Sequence, residues 1–128
     1  MNNTTQNLNS LLINANRALQ EKNYTLGKKL LEQIFSLNEN IFEVNLNLGI
    51  INFQLGNLDS SIDFLLKSKK INNSVPQIYL NLGLVYNKKG QHDLAIQNFK
   101  KVLEIDPNNL LANYNLGSNY KEILEYSK

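Results

Sequence analysis

The chain has 128 residues and a formal net charge of +2 at pH 7, with no cysteine and one histidine. That length suits one domain with a modest core, and the charge is too small to single out nucleic acid or an anionic membrane surface as partner. The lack of thiols excludes disulfides, thiolate metal sites and cysteine nucleophiles.

In chain order, the start reads MNNTTQN. It has neither the basic nor the apolar region of a secretory leader, and residues 1–7 are expected to be a disordered tail. No later apolar run approaches the ~18 residues of a membrane span, so a cytoplasmic chain is expected. A period then sets in. Leu48-Gly49, Leu82-Gly83 and Leu116-Gly117 are spaced 34 residues apart, and Gly56 and Gly90 repeat the same spacing. The period divides the chain into units 8–41, 42–75 and 76–109 and a partial unit 110–128.

In unit 8–41 the Leu-Gly pair is replaced by Asn14-Ala15, with Tyr24 and Gly27 at an aromatic and a small position. Unit 42–75 keeps Leu48-Gly49 and Gly56 but has Asn45, Asn52, Ser61 and Asn73 where unit 76–109 has Tyr79, Tyr86, Ala95 and Pro107. In that third unit Tyr79, Leu82, Gly83 and Tyr86 recur at i, i+3, i+4 and i+7, one face of a helix. Ala95, Phe99, Val102 and Leu103 mark a second helix. Gly90 between them is a helix stop, and Pro76 and Pro107 suit helix boundaries. The partial unit reads as one helix, about 110–126. Asn113, Lys121, Glu122 and Glu125 give it a polar side; Tyr114, Tyr120, Ile123, Leu124 and Tyr126 leave it apolar elsewhere. A glycine inside a helix costs about 1 kcal/mol relative to alanine. Its return at 49, 83 and 117 therefore predicts a close approach by the second helix of each pair.

The order Tyr79, Leu82-Gly83, Tyr86, Gly90, Ala95, Phe99, Pro107 resembles the tetratricopeptide-repeat (TPR) pattern, with Tyr79 where tryptophan is common. The resemblance extends over residues 8–126. It implies an all-α fold: a right-handed α-solenoid of antiparallel helix pairs, three such units plus one extra C-terminal helix, about seven helices in all. It also implies protein binding in a concave groove lined by the first helix of each pair. By the resemblance, the groove would take Asn16, Ile50, Leu84 and Ser118 from one position, Gln54 and Lys88 from another, and Tyr114 from a third. A fourth position supplies the row Asn47, Asn81, Asn115.

A carboxamide both donates and accepts, so it can pair with the N–H and C=O of an extended peptide whatever its side chains. Neighbouring helices lie roughly 8–10 Å apart and an extended chain rises about 3.3 Å per residue; one Asn per repeat would grip about every third residue. The row resembles the asparagine ladder in the repeats of protein O-linked N-acetylglucosamine (O-GlcNAc) transferase. Asparagine is also unusually frequent throughout the chain. The row therefore has two readings at this point: a backbone-gripping ladder, or a solvated lining that reflects codon bias. The family's carboxylate clamp needs cations to face a peptide C-terminus. Its positions hold Leu12, Asn16, Asn47, Gln77 and Asn81, or one repeat on Leu46, Ile50, Asn81, Leu111 and Asn115. That mode is rejected.

His92 without clustered partners makes a poor metal ligand and is expected to pack or cap at the start of a second helix. Lys69, Lys70, Lys100 and Lys101 fall late in second helices, where the dipole favours cations, and Lys67, Lys88 and Lys89 complete the lysine clusters as solvated surface. The glycines belong to the repeat, not to a phosphate loop, and no Ser-His-Asp set has a motif around it. The expected function is a protein–protein interaction module that takes an extended peptide or partner segment. It has no catalytic residue, cofactor or metal, and no nucleic-acid or membrane partner; association through the apolar C-terminal helix is a further expectation. The alternative is the N-terminal targeting or substrate-recognition part of a larger transferase-type enzyme, with the catalytic domain beyond residue 128.

Overall fold

The computed structural model describes residues 3–126. Among them are seven helices: α1 Asn3–Gln20, α2 Tyr24–Leu37, α3 Phe42–Gln54, α4 Leu58–Ile71, α5 Pro76–Lys88, α6 His92–Ile105 and α7 Leu110–Tyr126. Helix α1 begins inside the segment expected as a tail, so residues 3–7 are helical; Met1 and Asn2 lie outside the described residues. The chain forms two compact units, one up to Asn72 with α1–α4 and one from Asn73 with α5–α7.

The helix stops follow from the turn chemistry. Helix α3 closes at Gly56 (φ 84°) with Gly56 N–H donating to Phe53 O and Asn57 N–H to Asn52 O, at 3.0 and 2.7 Å. Helix α5 closes the same way at Gly90 (φ 80°), with Gly90 N–H on Asn87 O and Gln91 N–H on Tyr86 O, both 2.9 Å. This is the paired closure that a left-handed residue after a helix permits. Helix α1 ends identically, with Lys22 N–H on Leu19 O and Asn23 N–H on Ala18 O. Here the left-handed residue is Lys22, at φ 59°.

In the first unit each helix packs on its neighbour in sequence, α1 on α2, α2 on α3 and α3 on α4. The core is built on Ala15, Leu31, Ile34, Val44, Leu48 and Ile51, with Phe35 and Phe64 packed against it and their rings edge to face at 5.4 Å. In the second unit α5 packs on α6 and α6 on α7. Ile78, Leu82, Val85, Ala95, Phe99, Val102 and Ala112 are buried there. Full burial of a side chain such as Phe99 contributes about 2–3 kcal/mol.

The mid-helix glycines mark the close approaches. A Cβ on Gly49 would lie 2.6 Å from Leu65 Cγ, and one on Gly83 would lie 2.4 Å from the Phe99 ring. Gly117 differs: a Cβ there would meet nothing within 4 Å, because no second helix lies over that side of α7 among the described residues.

Candidate functional site

The residues expected to line a groove lie on the first helix of each hairpin. On α5, Asn81, Leu84 and Lys88 follow one another at i, i+3 and i+7, the spacing of one helix face. Asn81 stands two residues before Gly83, so at 3.6 residues per turn it points away from the contact with α6. Asn81 and Leu84 are half-buried and Lys88 is exposed. Asn47, Ile50 and Gln54 repeat the stripe on α3 with the same gradation of exposure. On α7, Asn115 is half-buried, Ser118 is exposed and Tyr114 is 74% exposed. Asn16 is exposed on α1.

The asparagines of the second unit are held in place. Asn81 Nδ2 donates to Gln77 O at 2.8 Å and Asn115 Nδ2 to Leu111 O at 2.7 Å, one turn back on their own helices. Each has one amide N–H committed; the other N–H and Oδ1 make no hydrogen bond among the described residues. The anchored side chain presents a donor and an acceptor from a fixed position, which lowers the ordering cost of a further bond. The Asn47 side chain makes no hydrogen bond among the described residues.

A partly buried polar network that sequence reasoning missed joins α7 to α5 and α6. Asn87 Nδ2 donates to Asn119 Oδ1 at 3.0 Å and Asn119 Nδ2 donates to Asn87 Oδ1 at 2.7 Å, a reciprocal amide pair. His92 Nδ1 lies 3.1 Å from Asn87 Oδ1 and 3.3 Å from Asn119 Nδ2, and its Nε2 is 3.8 Å from a Glu122 carboxylate oxygen. His92 therefore packs; the N-cap of α6 is Gln91. The pair is 32 residues apart in sequence, so no local pattern announces it.

The lysines are more engaged than a solvated face would require. Lys67 Nζ sits 4.9 and 5.2 Å from the Phe35 and Phe64 ring centres. Lys100 lies 5.9 Å from the Tyr120 ring, and Lys101 lies 6.0 Å from the Tyr79 ring and 3.1 Å from Glu104. Lys69 and Lys70 do occupy the last turn of α4, whereas Lys100 and Lys101 fall short of the last turn of α6. Among the described residues no group of three His, Asp or Glu side chains could hold a metal ion, and no helix is long and apolar enough to cross a membrane.

Family models for the tetratricopeptide repeat match residues 76–109 and 42–74, together more than half of the chain. No curated protein sequence matches it. Among solved structures the chain is similar to MamA at 26% identity and a TM-score of 0.86, over 90% of this chain and 67% of that one; a second MamA structure is covered to 62%. The first TPR domain of Spaghetti (RPAP3), bound to an HSP90 peptide, is similar at 17% identity and a TM-score of 0.86, covering 93% of this chain and 94% of that one. The O-GlcNAc transferase of Thermobaculum terrenum is similar at 18% identity and a TM-score of 0.82, over 93% of this chain but 23% of the transferase. The last two likenesses concern the fold.

Proposed function

Because the chain belongs to the tetratricopeptide-repeat family, we propose that it is a non-catalytic, cytoplasmic protein-interaction module. It takes an extended segment of a partner polypeptide on the first helices of its hairpins. The observation that carries this reading is the state of Asn81 and Asn115. Each is anchored to its own helix by one N–H and offers a second N–H and a carbonyl oxygen outward. Those two groups match the C=O and N–H of an extended backbone, so the grip is indifferent to peptide sequence. Leu84 and Tyr114 supply apolar contact beside them, and Asn47 with Ile50 and Gln54 offers the same chemistry on α3. The structure of a similarly folded RPAP3 domain with an HSP90 peptide supports a peptide as ligand.

A peptide array tests the reading. Asn81→Ala combined with Asn115→Ala is expected to weaken binding across unrelated peptides while helicity is unchanged. Loss restricted to one peptide sequence contradicts a backbone grip, and unchanged binding contradicts the site. A second reading, recognition on behalf of an attached transferase, draws support from the chain's likeness to 23% of the bacterial O-GlcNAc transferase. A transferase domain downstream in the source gene supports that reading; a stop codon after Lys128 excludes it.

A further inference from the structure

The two compact units fill one repeat position differently. In the second unit Tyr79 is buried. Its hydroxyl donates to Asn73 O at 2.6 Å, and Lys101 Nζ lies 6.0 Å from its ring centre. One period earlier, in the first unit, the position holds Asn45, with Glu39 and Lys67 at the places of Asn73 and Lys101. Asn45 Nδ2 donates to Glu39 O at 3.0 Å and to Ile41 O at 2.9 Å. It thus reaches the carbonyl equivalent to the one that takes the Tyr79 hydroxyl, but without the volume of a ring. Its Oδ1 is buried with no partner among the described residues. A cavity of about 160 Å³, open to solvent, is lined by Glu39 and Lys67 together with Phe35, Asn40, Lys70 and Ile71.

That volume suits a single six-membered ring, since an apolar cavity of about 150 Å³ takes benzene. The lining narrows the chemistry. Phe35 and Ile71 offer apolar contact. Lys67 Nζ is already held 4.9 and 5.2 Å from the Phe35 and Phe64 ring centres, and a further ring would meet it as Tyr79 meets Lys101. Glu39 O accepts from Asn45, and a carbonyl oxygen has a second lone pair for a hydroxyl. We propose that this cavity docks the tyrosine side chain of a partner polypeptide. The guest restores in the first unit the phenol that Tyr79 supplies in the second, with its electron-rich face toward the Lys67 ammonium and its hydroxyl on the Glu39 carbonyl. The site lies wholly in the first unit and does not rest on the Asn81 and Asn115 row.

The probe is p-cresol, the tyrosine side chain as a free molecule. It is titrated into the isotope-labelled 128-residue chain, with amide NMR shifts as readout. Saturable shifts at Glu39, Asn40, Lys70 and Ile71 are expected. Toluene, which lacks the hydroxyl, should bind about fivefold more weakly, the loss of one hydrogen bond. Asn45→Tyr supplies the ring from within the chain, and is expected to raise the melting temperature and abolish the p-cresol shifts. Lys67→Met keeps an apolar stem but removes the cation, and should weaken p-cresol about threefold; it decides the question if Asn45→Tyr does not fold. The absence of saturable shifts at those residues overturns the proposal. So does unchanged p-cresol binding by folded Asn45→Tyr or by Lys67→Met. Equal affinity for p-cresol and toluene would make this a site for any apolar ring and overturn the assignment to tyrosine.

Discussion

The hairpins α3–α4 and α5–α6 hold one backbone frame with different interiors. Four buried polar residues of the first, Asn45, Asn52, Ser61 and Ser68, stand one period before Tyr79, Tyr86, Ala95 and Val102 of the second. Each of the four donates to a nearby backbone carbonyl, although Asn45 Oδ1 is buried with no partner among the described residues. Asn45 reaches Glu39 and Ile41, Asn52 reaches Leu48 at 2.8 Å, Ser61 reaches Gly49, and Ser68 reaches Leu65 at 2.7 Å. Tyr79 solves the same problem from an aromatic ring. Its hydroxyl donates to Asn73 O at 2.6 Å, the carbonyl one period after Glu39. The frame therefore tolerates polar substitution wherever the side chain can bond to backbone, since a buried polar group is costly mainly when unpaired. What the two hairpins share is the glycine notch and the side chain seated in it.

That comparison can be broken or sharpened by substitution, and the notch should show the largest effect. Gly83→Ala puts a Cβ into the Phe99 ring and should lower stability by about 2 kcal/mol. Gly117→Ala meets open space and should raise it by up to about 1 kcal/mol through helix propensity. Chemical denaturation of both variants checks the opposite signs; equal shifts would mean that the glycines are not packing residues. Next, Ser61→Ala makes α4 resemble α6 at this position. It should lower stability by about 1 kcal/mol, the worth of a buried hydrogen bond to Gly49 O; a gain in the denaturation midpoint would show that the polar interior is a defect. The smallest effect is expected at Lys22, which holds the left-handed position that Gly56 and Gly90 hold elsewhere. Lys22→Gly should gain a few tenths to 1 kcal/mol, since a side chain is strained there. A loss of thermal stability would show that Lys22 is held by contacts of its own.

Lys22 also shows why the first hairpin was hard to read. Its turn is the same as the others, but the residue that announces such a turn is glycine, and here the backbone adopts the conformation without it. The helices from Phe42 onward were legible because Leu-Gly pairs, Gly56 and Gly90 encode close packing and left-handed closure directly. The helical stretch at residues 3–7 was not, since a polar run carries no periodic apolar stripe. The Asn87–Asn119 pair was hidden for a different reason: in an asparagine-rich chain, two residues 32 apart give no sign that they meet. Gly117 reads in sequence like Gly49 and Gly83, but its partial unit reads as one helix, and the structure leaves its notch open among the described residues.

For the candidate site, the sequence supplied the row Asn47, Asn81, Asn115 but not its state. It could not indicate that Asn81 and Asn115 each commit one N–H to their own helix, because that depends on the side-chain rotamer. The anchoring makes a backbone grip more specific: each Asn has one donor and one acceptor left to use.

The most direct test is a binding cycle by titration calorimetry. An extended peptide that binds the chain is compared with its backbone N-methylated analogue, against wild type and against Asn81→Ala with Asn115→Ala. A backbone grip predicts that N-methylation weakens binding to the wild type about tenfold or more, each lost hydrogen bond being worth about 1 kcal/mol, and has little further effect on the variant. Equal losses on both proteins would mean that Asn81 and Asn115 do not hold the peptide backbone.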